Sequence, residues 1–123
     1  MVIKLLLISM LLFSNVARAK ITFPDEMTVS EFYSLNSRVS QTSEDEWASF
    51  ELMSGYLMGI KDFNSQKYFI HNNDEAADCI NRPLNVWKPL VFDRYKLNKI
   101  KGDELFVIHF IKTVEEVCEV DLL

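Results

Sequence analysis

The chain reads as all-α: a small four-helix, disulfide-linked bundle around a central apolar helix. Three observations predict this. Four segments repeat apolar residues at helical spacing behind residues suited to helix starts. Met53 to Ile60 carries no charge, the mark of a helix apolar nearly all round and expected in the middle of a domain. Cys79 and Cys118 are the only cysteines among the 123 residues, an even count that reads as one disulfide in an exported chain.

The first 19 residues are set apart from the fold. Lys4 precedes an apolar run from Leu5 to Phe13 broken only by Ser9, and Ala17-Arg18-Ala19 has the small-x-small form of a cleavage site. This is the pattern of a secretory signal peptide, too short in its apolar part to span a bilayer. Cleavage after Ala19 is expected, with a single domain over residues 20–123 and a periplasmic location. No cysteine follows the apolar run, so nothing points to a lipid anchor. The segment holds Lys4 and Arg18 and no acid, so the 13 basic residues of the chain fall to 11 against 18 acids, a net charge of −7. Nucleic acid and anionic membrane both select for positive charge, so both are disfavoured as partners. A protein partner, or a second copy in a homodimer, is compatible.

Lys20 to Asp25 reads as extended, with Pro24 disfavouring a helix at Phe23. Thr28 or Ser30 starts a first helix over Glu31 to Val39, with Phe32, Leu35 and Val39 on one face, and Ser40 to Thr42 is a polar linker. The central helix runs from Ser43 to Phe63. Ser43 and Glu46 form a capping box, and Glu44, Asp45 and Glu46 put negative charge at the positive end of the dipole. Gly55 and Gly59 continue a mostly small stripe with Ala48 and Leu52. Each helix-interior glycine costs roughly 1 kcal/mol relative to alanine, so another element is expected to pack closely against them. Asp62, at the disfavoured end of that helix, is either exposed beside Lys61 or paired with Arg82 or Arg94.

Asn64 to Asp78 gives no clean period. Asn64-Ser65 reads as a turn, Lys67 to Ile70 as a short extended piece, Asn72-Asn73-Asp74 as a loop, and Glu75 to Cys79 as a helical turn. Asn85 is a candidate cap for a third helix from Val86 to Asn98, with Pro89 in its first turn and Trp87, Val91 and Tyr95 along one side. Asn98 to Gly102 connects to a fourth helix, capped by Asp103 and running from Glu104 to about Glu119. Its expected inner face holds Val107, Ile111, Val114 and Cys118. The Cys79–Cys118 bond would close a 39-residue separation, worth on the order of 4 kcal/mol.

No residue set points to catalysis, a metal or a cofactor. His109 and Cys118 are nine apart, on opposite sides of one helix, so they form no dyad within it. His71 lies in a polar segment. There is no histidine pair at ligand spacing, no Cys-x-x-Cys, no glycine-rich phosphate loop and no Gly-x-Ser-x-Gly elbow.

The run Gly55-Tyr-Leu-Met-Gly-Ile-Lys-Asp62, followed by Cys79, an amphipathic helix and a last helix ending near Cys118, resembles the periplasmic immunity proteins of type VI secretion amidase effectors (the Rap/Tai group). The likeness covers residues 47–118. It departs from the family pattern in placing Pro83 four residues after Cys79 and in carrying a single cysteine pair. The resemblance implies an inhibitor and not an enzyme: a protein that binds a toxic peptidoglycan amidase, its cognate partner, and obstructs the active-site cleft. The segment from Asn64 to Asp78 is then the expected contact element, through Tyr68 and Phe69 with His71 and Asp74 beside them. Against this stands the expectation that Tyr68, Phe69 and Ile70 fold back on the core. A small periplasmic acid-stress chaperone, loosening as its carboxylates protonate, and an envelope accessory protein remain alternatives.

Overall fold

The computed structural model describes residues 21–122. The expected signal segment and cleavage after Ala19 lie outside them. The described chain is all-α and carries five α-helices: α1 (Val29–Ser37), α2 (Glu44–Ile70), α3 (Asp74–Ile80), α4 (Leu84–Lys96) and α5 (Phe106–Cys118), with a 3-10 turn at Val39–Gln41. The expected disulfide joins Cys79 on α3 to Cys118 on α5, with Cα atoms 5.7 Å apart.

α1 is capped at one of the two residues read from the sequence. Thr28 is the cap, its side chain accepting from the Glu31 amide, and Phe32 and Leu35 are buried. Val39 falls in the 3-10 turn, so the helix both starts and ends two residues earlier than the expected Glu31 to Val39. α2 opens with the Ser43–Glu46 capping box. Arg38 adds an ion pair to Glu46. Its guanidinium and the Ser43 amide hold the Glu46 carboxyl down to about 2.

The sequence reading stopped α2 at Phe63. The helix instead continues to Ile70, 27 residues in all and roughly 40 Å long. Between Asn64 and Ile70 there is no glycine or proline to break it, and the two residues read as a turn are absorbed by hydrogen bonds. Asn64 Nδ2 donates to the Ile60 carbonyl at 2.8 Å, and Ser65 Oγ donates to the Ala77 carbonyl at 3.0 Å. Helix α2 ends at Ile70 with His71 as its C-cap, the chain turns at Asn72, whose φ of 60° is left-handed, and Asn73 caps α3 by accepting from the Ala76 amide. The expected long loop is thus the end of one helix, a tight corner and a short second helix.

Two further boundaries move. α4 starts at Leu84 behind Pro83, so Asn85 sits inside the helix and caps nothing, and Pro89 lies in its second turn on the solvent side. α5 starts at Phe106, not Glu104, because residues 104–106 are held by the segment before α1. The Val29 amide donates to the Glu104 carbonyl at 2.8 Å and the Phe106 amide to the Met27 carbonyl at 3.1 Å. The inner face of α5 is Phe106, His109, Phe110, Thr113 and Val114. Of the face read from sequence only Val114 is fully inside; Val107, Ile111 and Cys118 are half-buried at its edge.

Aromatic side chains from four helices fill the core. The Phe32 ring meets Phe106 edge-on at 4.6 Å between centroids, with Phe92 at 5.8 Å and Phe50 at 5.7 Å. Trp87 is fully buried and donates its Nε1–H to the Ile80 carbonyl at 3.2 Å. This cluster, not α2, is the centre. α2 buries one stripe only (Ser49, Met53, Leu57, Lys61, Asn64) and lies along one side, overturning the expectation of a helix surrounded by the domain.

Candidate protein-binding surface

The residues read as a contact element separate into two groups. Tyr68 folds back: it is half-buried against the core, and its hydroxyl donates to the Asp121 carbonyl at 2.8 Å and accepts from the Asp121 amide at 3.1 Å. Phe69 and Ile70 do not. They are 61% and 70% exposed at the α2–α3 corner, where exposed His71 follows and exposed Asp74 opens α3. The turn of the helix decides this. Tyr68 continues the buried stripe of Leu57, Lys61 and Asn64, and its two successors rotate away from it.

Gly55 and Gly59 are also placed differently from expectation. A methyl group added to either would meet no atom of another described element within 4 Å, so none of the described elements packs on them. The notch is open and forms the floor of a groove of about 460 Å³ lined by Gly55, Tyr56, Gly59, Ile60, Phe63, Asn64 and Ile111. A second groove, lined by Pro24, Ala48, Glu51, Leu52, Gly55 and Tyr56, continues it towards the start of α2. Around them Leu52, Tyr56, Met58 and Phe63 stand exposed, Phe63 by 72%. The Oδ1 of Asn64, a residue only 2% exposed, accepts no hydrogen bond among the described residues. No periodicity in the sequence distinguished this open apolar face from a buried one, because a face awaiting a partner and a face in a core have the same composition.

The groups with chemical potential are held in structural roles. Both cysteines are oxidised. His109 is buried on α5, its Nε2 2.6 Å from Glu104 Oε2 and its carbonyl accepting from Thr113 Oγ1. The hydrogen bond to His109, with help from the Lys101 amide, holds the Glu104 carboxyl below its ordinary value. Asp62 is exposed, 3.8 Å from Lys61 Nζ; Arg94 is instead bonded to Glu116 at 2.7 Å and Thr113 at 3.3 Å, and Arg82 lies over the Trp87 ring. Lys88, nearly half-buried above Phe32 and Phe50, donates to Asn36 Oδ1 at 3.0 Å, and desolvation lowers its pKa.

A polar cleft of about 560 Å³ beside the disulfide is lined by Glu75, Asp78, Glu119 and Arg82 among others. Among the described residues no group of three or more His, Cys, Asp or Glu side chains is placed to hold a metal ion, and no helix is long and apolar enough to cross a membrane. What the arrangement offers is apolar surface for another macromolecule. Compared with family models, curated proteins and solved structures, the chain matches none.

Proposed function

We propose that this chain is an exported protein of the periplasm that binds a toxic peptidoglycan amidase and blocks its cleft, with the signal segment removed after Ala19. One observation carries the reading: Phe69 and Ile70, large and apolar, stand out from the α2–α3 corner mostly exposed. A projecting apolar pair fixed by a helix end loses little conformational freedom on binding, which is the economy of an interface anchor. His71 and Asp74 flank it with polar groups, as an interface rim requires. The disulfide suits an oxidising compartment. The sequence likeness of residues 47–118 supplies the partner class.

The test uses residues 20–123 with purified periplasmic cysteine amidases acting on peptidoglycan. Stoichiometric inhibition by the intact protein is expected. Phe69→Ala should weaken it by roughly 10- to 100-fold, the usual cost of truncating an aromatic anchor, with helical CD unchanged. Failure to bind or inhibit any such amidase refutes the proposal. Protection of many unfolded clients at pH 2–3 alone would favour the acid-stress chaperone.

A further inference from the structure

We infer that the open face of α2 is the docking site for a second copy of this chain, with the two α2 helices side by side and parallel. This surface overlaps the α2–α3 corner at Ile70, but the observations on Leu52, Tyr56, Gly59 and Phe63 do not depend on the amidase reading.

The exposed face has a period that a monomer does not need. Leu52, Tyr56, Gly59, Phe63, Gln66 and Ile70 follow one another at alternating steps of four and three, the spacing of the two seam positions of a coiled coil. Four of the six are large and apolar, and all four are exposed: Leu52 by 41%, Tyr56 by 49%, Phe63 by 72% and Ile70 by 70%. A surface helix turns such a seam inward; this one turns it outward along most of its length. At roughly 200 Å² for a large apolar side chain, the exposed fractions amount to on the order of 450 Å² per protomer. A pair of copies therefore buries about 900 Å² from these side chains alone. With the glycines and flanking residues it reaches the ~1,000 Å² expected of a specific interface.

The open glycine at the middle of the seam lets two backbones approach there, with the Tyr56 and Phe63 layers closing over it on either side.

Charge selects the orientation. Flanking the seam, one side carries Gly55, Asp62 and Phe69 and the other Met53, Ile60 and Lys67. In a parallel pair the first flank of one helix lies beside the second flank of its mate, five residues further on. Asp62 then faces Lys67 of the other copy, twice over by symmetry. In an antiparallel pair like flanks meet, and no register brings an acid opposite a base. Asp62 and Lys67 are both exposed in the monomer, and the 3.8 Å pair of Asp62 with Lys61 is long enough to be shared with a second cation.

Sedimentation or light scattering on the disulfide-bonded chain of residues 20–123 tests this directly. The wild type should have twice the monomer mass. Gly59→Leu and Phe63→Asp should each give monomers with unchanged CD, because neither position touches the rest of the chain's core. Asp62→Lys and Lys67→Glu should each weaken the dimer about tenfold by facing like charges, and the two together should restore it. A wild type that stays monomeric at high concentration overturns the inference. So does a dimer that survives Gly59→Leu, or a double reversal no tighter than the single ones. A monomer that binds a foreign helix through Phe63 would overturn it in favour of a heterologous partner.

Discussion

Gly55 and Gly59 give the sharpest test of how α2 is placed. They occupy the twelfth and sixteenth positions of a 27-residue helix, far from either end, where glycine costs about 1 kcal/mol relative to alanine. That figure already contains the loss of unfolded-state freedom when a side chain is added. A clash would cancel it, but the added methyl meets nothing within 4 Å at either site. Gly55→Ala and Gly59→Ala should therefore each raise stability by about 0.7–1 kcal/mol, and the double variant by about 1.5–2 kcal/mol. For a domain of about 100 residues, 1 kcal/mol corresponds to a rise in Tm of about 4–8 °C. Urea unfolding followed by CD, at protein concentrations low enough to keep the chain monomeric, measures the effect. A loss of 0.5 kcal/mol or more at either position would mean that an element of the same chain covers the notch, and the open face of α2 would be refuted.

Gly102 should behave in the opposite way: an added Cβ would meet Ser30 Cβ and Tyr95 Cε1 at 3.0 Å, and Ser30 is held there by its amide bond to the Gly102 carbonyl. Gly102→Ala should cost about 1–3 kcal/mol in the same urea assay. Replacing Cys79 and Cys118 together by serine, across a separation of 39 residues, should cost about 4 kcal/mol in the chain-entropy model and lower the urea midpoint accordingly. The Glu46 carboxyl, held down to about 2 by Arg38 and the Ser43 amide, contributes stability that is complete above the ordinary carboxylate range and lost as pH falls towards 2. Thermal scans of wild type and Glu46→Gln should differ at pH 6 and converge between pH 4.5 and 2; a constant difference would remove the ion pair from the account.

What the sequence carried was local. The capping box at Ser43 and Glu46, the cap at Thr28, the inward side of α1 and the cysteine pairing follow from residues within a turn of each other or from simple count. The errors came where a distant segment decided the matter. Asn64 and Ser65 read as a turn by composition, yet both side chains found carbonyls, one on α2 itself and one on α3. Asp103 read as a cap, yet α5 waits until Phe106 because Met27 and Val29 engage the backbone of residues 104–106. At the candidate surface, which aromatic of segment 64–78 is outside depends on the helix phase carried through from Leu57. That phase is invisible once Asn64-Ser65 is taken for a break.

The same mistake hid the larger feature. With α2 ended at Phe63, its apolar residues look like the content of a core; with α2 continued to Ile70, there are too many of them for one domain to cover. Phe32, Phe92, Trp87, Phe106 and Phe110 already fill the interior from the other helices, so the second face of α2 has nowhere to go. Single exposed apolar side chains need no explanation, but a continuous row does. This row runs from Leu52 to Ile70, broken at Gln66 and at Gly59, a glycine that weakens the helix bearing it and packs against no described element of the monomer. A residue that lowers the stability of its own helix while leaving a gap beside aromatic side chains is accounted for by a backbone arriving from another molecule. The cost of Gly59 to the isolated chain and its use in an assembly are thus two readings of one position. Stability measured on monomers and association measured on the same Gly59 variants should move in opposite directions.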